Sequence, residues 1–296
     1  MRGMRRAVSV MYEKEITSRS RTAFVIAVDC SRSMSEETAM PDGRIVPKSW
    51  AVAEAVDRIV CELIMRARRD GTVRDYYDIA LLGYSDNAVF PMIDPRRDFI
   101  PVSEMESYRP AQRSIHRDSI LSNGEHVVRT ELLDCWVTPR SEGDTPMFEA
   151  FSHINAIVSE WCRRPCNADS FPPVIFNVTD GEASDCDADE LRSMAGQIKA
   201  NRTSDGNALL INIHISSNRA DVSMIFPADE QIAEGDRYAR LLADCSSIMP
   251  APFEEMIRSQ RGDTARPPFR AMGYNASVTE LVTMLNIGSR SVTNVV

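Results

Sequence analysis

The chain has 296 residues, a length that allows one substantial hydrophobic core. Its 43 Asp and Glu residues outnumber its 34 Lys and Arg residues, and this net charge of −9 argues against nucleic acid as the main partner, because such proteins neutralise phosphates with basic side chains. No run of about 18 apolar residues predicts a membrane span, and the seven cysteines, none of them in a Cys-x-x-Cys pair, are typical of a reduced, cytoplasmic protein.

Apolar runs separated by helix-length segments predict an α/β fold. In chain order we expect strands at residues 22–29, 77–84, 88–93, 174–178, 209–215 and 267–274, and a short strand or an extended segment at 131–137. We expect helices between them at residues 49–69, 146–162, 187–201, 233–244 and 278–285. Because strands that alternate with helices favour right-handed crossovers, we predict a doubly wound, mostly parallel central sheet flanked by helices. The strand at 88–93 is expected to turn back as one antiparallel edge strand.

Residues 1–20 are predicted to form an N-terminal extension, and residues 21–290 a single domain. Between residues 94 and 130 the apolar periodicity weakens and prolines interrupt the chain. Long irregular segments in compact domains are commonly functional, so we interpret this one as an insertion that elaborates the domain for a specific partner.

Two local features have a structural explanation. Asp187 is followed three residues later by Glu190, which predicts a capping box at the start of a helix. His214 lies within an apolar strand pattern, so we expect it to be a core residue rather than a metal ligand.

Polar side chains cluster at three predicted junctions between strands and helices. A D-x-S-x-S motif that begins at Asp29 directly follows the first buried strand, Thr145 precedes a helix, and Asp180 follows the strand at 174–178. The sites of α/β folds lie at the carboxyl ends of strands, and carboxylate and hydroxyl oxygens suit a hard divalent cation. We therefore predict one metal site built from Asp29, Ser31, Ser33, Thr145 and Asp180.

The order and content of these loops resemble the von Willebrand factor A (VWA) domain family, whose metal-ion-dependent adhesion site consists of D-x-S-x-S, then T, then D. The resemblance covers about residues 22–285 and includes the segment Thr179-Asp180-Gly181-Glu182. It implies a Rossmann-like VWA fold, and it departs from the family at Arg32, where a glycine is usual. It also implies that the hydroxyls of Ser31 and Ser33 bond directly to the metal and that Thr145 is the threonine of the site. The carboxylates of Asp29 and Asp180 are implied to reach the metal directly or through water.

The resemblance implies docking rather than catalysis. A Mg²⁺ or Mn²⁺ ion held mainly by hydroxyls stays electron-poor, so a protein partner is expected to complete its coordination with an Asp or Glu carboxylate. We therefore predict a metal-dependent protein-interaction module, not an enzyme, in an intracellular multi-protein assembly. The alternative is a hydrolase or phosphatase that uses the same ion as a Lewis acid. It needs a base or nucleophile, and only Cys30 and Glu182 stand near the three loops in the sequence.

Overall fold

The computed structural model describes residues 11–109, 111–120, 126–216, 222–233, 237–262 and 265–289. The strands are β1 (Thr22–Asp29), β2 (Glu37–Ala39), β3 (Ile45–Pro47), β4 (Arg68–Arg69), β5 (Thr72–Val73), β6 (Tyr77–Ser85), β7 (Ala88–Pro91), β8 (Ile100–Pro101), β9 (Ala111–Ile120), β10 (His126–Cys135), β11 (Val174–Thr179), β12 (Arg202–Thr203), β13 (Gly206–Asn207), β14 (Leu209–Ile215), β15 (Met224–Ile225) and β16 (Met272–Ala276). The helices are α1 (Lys48–Ala67), α2 (Met105–Tyr108), α3 (Met147–Arg163), α4 (Ala188–Ala200), α5 (Asp229–Ala233), α6 (Arg237–Cys245), α7 (Glu254–Arg261) and α8 (Val278–Gly288).

Eight strands form the central sheet in the order β15-β16-β14-β11-β1-β6-β7, with β8 also paired to β6. The five strands from β16 to β6 are parallel to one another, and β7, β8 and β15 are antiparallel to the strands that they pair with. The predicted α/β fold with a mostly parallel sheet is confirmed, as is the antiparallel edge strand after β6. The short antiparallel strands β8 and β15 were not predicted.

Both faces of the sheet are covered. All eight residues of β1 are buried, and their side chains alternate between two core layers. Phe24 and Ile26 pack in the layer that contains α1 and α8, whereas Val25 and Ala27 pack in the layer that contains α3 and α4. Burial on both faces explains why the sequence of β1 is an unbroken apolar run rather than an alternating one.

Two helices begin with reciprocal caps. The Asp187 carboxylate accepts hydrogen bonds from the backbone of the first turn of α4, and the Glu190 side chain accepts one from the Asp187 backbone, which confirms the predicted capping box. Ser277 and Glu280 form a second capping box at α8, which was not predicted. In the part of the chain that the structure describes, no helix is both long and apolar enough to cross a bilayer.

The segment at 94–130, interpreted as an insertion, contains two kinds of structure. Ile100 of β8 pairs with β6, and Val102 and Met105 are buried in the main core. The second part is a long antiparallel hairpin of β9 and β10, which is a separate two-stranded sheet and extends to Cys135. Within this segment, the hairpin is separate from the central sheet, whereas the residues around β8 help to fill the core.

Candidate functional site

The predicted site lies at the point in the sheet where two neighbouring strands lead to helices on opposite faces. β1 and β11 are parallel neighbours, and the chain leaves β1 toward α1 on one face and β11 toward α4 on the other. Such a divergence leaves a crevice beyond the carboxyl ends of the two strands, which is the usual binding position in open α/β sheets. Asp29 ends β1, and Asp180 follows the last residue of β11, so both carboxylates lie at this crevice.

Hydrogen bonds join the three loops that carry the predicted ligands. The backbone N–H of Arg32 donates to the carbonyl oxygen of Gly143, 2.9 Å away. The backbone N–H of Thr145 donates to the hydroxyl of Ser184 at 3.1 Å, and the Thr145 carbonyl accepts from the Ser184 N–H at 3.0 Å. The loop before α3 is thus fixed to the loops after β1 and after β11.

Four of the five predicted ligands form a connected chain of hydrogen bonds. The Ser31 and Ser33 hydroxyl oxygens are 3.1 Å apart, and the Ser33 hydroxyl donates to Asp180 Oδ1 at 2.6 Å. Asp29 Oδ1 accepts from the Ser31 backbone N–H at 2.8 Å, and Asp29 Oδ2 accepts from the Thr179 hydroxyl at 2.7 Å. Residues far apart in sequence therefore present their oxygens at one place.

The fifth predicted ligand lies at the same crevice. Thr145 is buried, and a β-carbon placed on Gly181 would lie 3.8 Å from the Thr145 hydroxyl oxygen. Gly181 directly follows Asp180, and the hydroxyl therefore faces the Asp180 loop.

Burial dominates the electrostatics of Asp29. Removal of this carboxyl from water raises its pKa to about 6, and hydrogen bonds from Ser31 and Thr179 oppose that rise. The negative charge of Asp180 adds to it. Two carboxylates held this close in a buried crevice favour the arrival of a positive charge.

The structure adds a cation that the sequence analysis missed. The Lys48 ammonium donates to Asp180 Oδ2 at 2.9 Å and to Glu36 Oε2 at 2.7 Å. Burial lowers the pKa of Lys48, but hydrogen bonds and charge from Glu36 and Asp180 outweigh it, so the pKa lies above its ordinary value. One signal pointed here: a lysine at the first position of a helix opposes the helix dipole, which indicates a nearby acidic partner.

Aromatic side chains form a wall beside the Asp180 loop. The Tyr238 hydroxyl donates to the Gly181 carbonyl oxygen. His214, the residue before the last of β14, stacks on Tyr274 with ring centroids 4.9 Å apart, and Tyr238 packs edge-on against His214 at 5.5 Å. His214 thus belongs to an aromatic cluster that packs beside the crevice.

The two groups named for the catalytic alternative differ in exposure. Cys30 is buried, and burial raises the pKa of its thiol to about 12, so it is not a thiolate nucleophile at neutral pH. Glu182 is exposed on the loop after β11. Among the residues that the structure describes, no three His, Cys, Asp or Glu side chains form a metal-binding group, so any cation site here depends on hydroxyls as well as carboxylates.

Several solved structures are similar to this chain, and two of them align as follows. A von Willebrand factor type A protein from Catenulispora acidiphila aligns with a TM-score of 0.40 and 14% identity over 67% of this chain, which spans only 34% of that protein. An uncharacterised membrane spanning protein from Vibrio fischeri aligns with a TM-score of 0.29 and 14% identity over 66% of this chain and 71% of that protein. Neither likeness tells what this chain binds. No protein-family model and no curated protein matches the chain.

Proposed function

We propose that this chain is a protein-interaction module that binds a partner's Asp or Glu carboxylate through a divalent cation, Mg²⁺ or Mn²⁺. The observation that carries the proposal is the convergence of hydroxyls and carboxylates from three separate loops at the crevice between β1 and β11. The residues proposed to hold the ion are Asp29, Ser31, Ser33, Thr145 and Asp180.

The donor chemistry fits such an ion. All five side chains offer oxygen, which Mg²⁺ and Mn²⁺ prefer over the nitrogen and sulfur ligands typical of zinc. The Ser33 hydroxyl donates a hydrogen bond to Asp180, and the lone pairs of the Ser33 oxygen remain available to a cation. When bound, the ion would supply a positive centre for an external anionic oxygen.

The charge of the site supports recognition of an acidic partner. Only two of the five proposed ligands carry charge, so they balance a divalent ion without excess negative charge that would repel a carboxylate. The Arg32 side chain is exposed on the same loop and adds a positive charge beside the crevice. The buried Cys30 thiol offers no nucleophile, which supports a binding role over the hydrolase alternative. The VWA-like motif supports a partner within an intracellular multi-protein assembly.

Capture of partners from an extract of the native host tests this function. We expect the immobilised chain to retain a partner in Mg²⁺ and to lose it in EDTA or after Asp180→Ala. Asp169→Ala is the matched control, because Asp169 is 85% exposed and precedes β11 at the opposite edge of the sheet. Once the partner is known, replacement of one of its Asp or Glu residues by Ala should abolish binding. Retention of the partner in EDTA would place the interface elsewhere.

A further inference from the structure

Lys48 makes two ion pairs at the crevice, one with a proposed metal ligand and one with a residue outside that set. Its ammonium lies 2.9 Å from Asp180 Oδ2 and 2.7 Å from Glu36 Oε2. We propose that Lys48 is an internal cation that holds Asp180 in the metal-free protein and competes with the divalent ion for that carboxylate. This inference rests on the proposed function and concerns the regulation of the same site.

The need for an internal cation follows from burial. The Asp180 side chain has no exposed surface, and only 5% of the Lys48 side chain is exposed. An ionised carboxylate in such a position is strongly unfavourable without a positive partner. The Ser33 hydroxyl supplies one hydrogen bond to Asp180 but no charge, so the ammonium is what neutralises this carboxylate.

The position of Lys48 is fixed by its own backbone. Lys48 is the first residue of α1, and its backbone N–H donates to the Glu36 carbonyl oxygen at 2.8 Å. Pro47 precedes it, with a fixed φ that sets the direction in which the helix starts. The start of the helix thus fixes the backbone position from which the Lys48 ammonium reaches Asp180.

Competition follows from the use of both Asp180 oxygens. Oδ1 accepts from Ser33 and Oδ2 accepts from Lys48, so a divalent ion that bonds to this carboxylate meets a positive charge already in place. Like charges at such short separations repel strongly in a buried site. Lys48 therefore lowers the affinity of the crevice for the metal.

Glu36 provides a second position for the displaced ammonium. Its side chain is 59% exposed, so Lys48 keeps one ion pair and gains water when it leaves Asp180. The three side chains act as a two-position switch: the ammonium bridges Asp180 and Glu36 without metal, and pairs with Glu36 alone when the metal is bound. The partner's carboxylate then binds only after Lys48 has released Asp180.

Calorimetric titration of the full chain with Mn²⁺, combined with thermal unfolding in EDTA, tests this switch. We expect Lys48→Met to tighten Mn²⁺ binding by about tenfold or more, because it removes a nearby positive charge. The same change should lower the unfolding midpoint in EDTA, because Asp180 loses its cation. Lys48→Arg keeps the charge and should bind Mn²⁺ no more tightly than the natural chain. Lys14→Met is the control: it removes an exposed ion pair with Asp169, which lies away from the crevice, so we expect it to leave the affinity for Mn²⁺ unchanged.

Glu36→Gln is the second variant. Because the Glu36 side chain is exposed, we expect this change to leave the fold intact. It removes the alternative position of the ammonium, so we expect weaker Mn²⁺ binding. If the natural chain binds Mn²⁺ and Lys48→Met binds it equally or less tightly, the inference is wrong and the proposed function stands. If only Lys48→Met binds, the inference stands and metal-dependent docking by the natural chain is wrong. Binding by neither protein would overturn both.

Discussion

At the scale of single residues, Asp57 shows how a buried carboxyl joins the hairpin to the core. It is fully buried on α1, and its Oδ1 accepts from the backbone N–H groups of Trp136 and Val137 at 2.9 and 3.1 Å. Its Oδ2 is buried without a hydrogen-bond partner in the described part of the chain. Burial raises the pKa of Asp57 to about 6, and the two backbone hydrogen bonds only partly oppose it.

This raised pKa predicts a pH dependence of stability. The unfolded chain releases the Asp57 proton near pH 4, whereas the folded chain keeps it to about pH 6. The folded state therefore binds more protons in this window, and the free energy of unfolding falls as pH rises through it. Asp57→Asn keeps an oxygen acceptor and removes the charge.

We expect Asp57→Asn and the natural chain to be equally stable near pH 4, and the variant to be more stable above pH 6 by roughly 2 kcal/mol. Urea unfolding in EDTA at several pH values measures the difference between the two curves. Asp29 also has a raised pKa but is present in both proteins, so its contribution cancels. A difference that is the same at every pH would contradict the prediction.

Single residues also show which parts of the site can be predicted from the sequence and which cannot. The five proposed ligands follow from a motif and from the rule that sites lie at the carboxyl ends of strands, and the structure brings them to one crevice. The ion pairs of Lys48 do not follow from any motif. They depend on the direction in which α1 enters the fold and on the burial of Asp180, which are properties of the packed molecule.

At the scale of elements, long periodic segments are predictable and short or polar ones are not. The strand at 209–215 was predicted with its observed bounds, and α1 within two residues at each end. β9 was missed because its sequence AQRSIHRDSI has few apolar residues, so alternation gives no signal. β15 has only two residues and is defined by its pairing with β16, which no local pattern encodes.

The hairpin of β9 and β10 provides an element-scale prediction. Ile115 pairs with Glu131, so an Asn-Gly turn joining these two residues in place of residues 116–130 preserves the base of the hairpin. We expect the thermal unfolding midpoint to change by less than about 4 °C, and Mn²⁺ affinity to stay the same, because the buried contacts of Ile115 and Leu133 remain.

Met105→Ala serves as the contrasting variant within the segment interpreted as an insertion. Met105 is fully buried in the main core, so we expect a loss of roughly 2 to 5 kcal/mol of stability. Loss of folding in the shortened hairpin, or a neutral Met105→Ala, would show that the boundary between core and elaboration is drawn in the wrong place.

At the scale of the whole molecule, we expect the fold not to depend on the metal. The sheet has a core layer on each face, and the internal ion pair with Lys48 gives the buried Asp180 carboxylate a counter-charge without an added ion. We therefore expect the circular dichroism spectrum to be the same in Mg²⁺ and in EDTA. A change in metal binding then reports on the crevice itself and not on folding.

The most direct test of the central claim is a calorimetric titration of the natural chain and of the Ser31→Ala, Asp180→Ala double variant with Mn²⁺. Ser31 and Asp180 come from different loops, so the double variant removes ligands from two of the three sources while the fold is followed by circular dichroism. We predict saturable binding to one site in the natural chain and in the Asp169→Ala control, and no binding in the double variant. Binding that is unchanged in the double variant would contradict the assignment of the metal site.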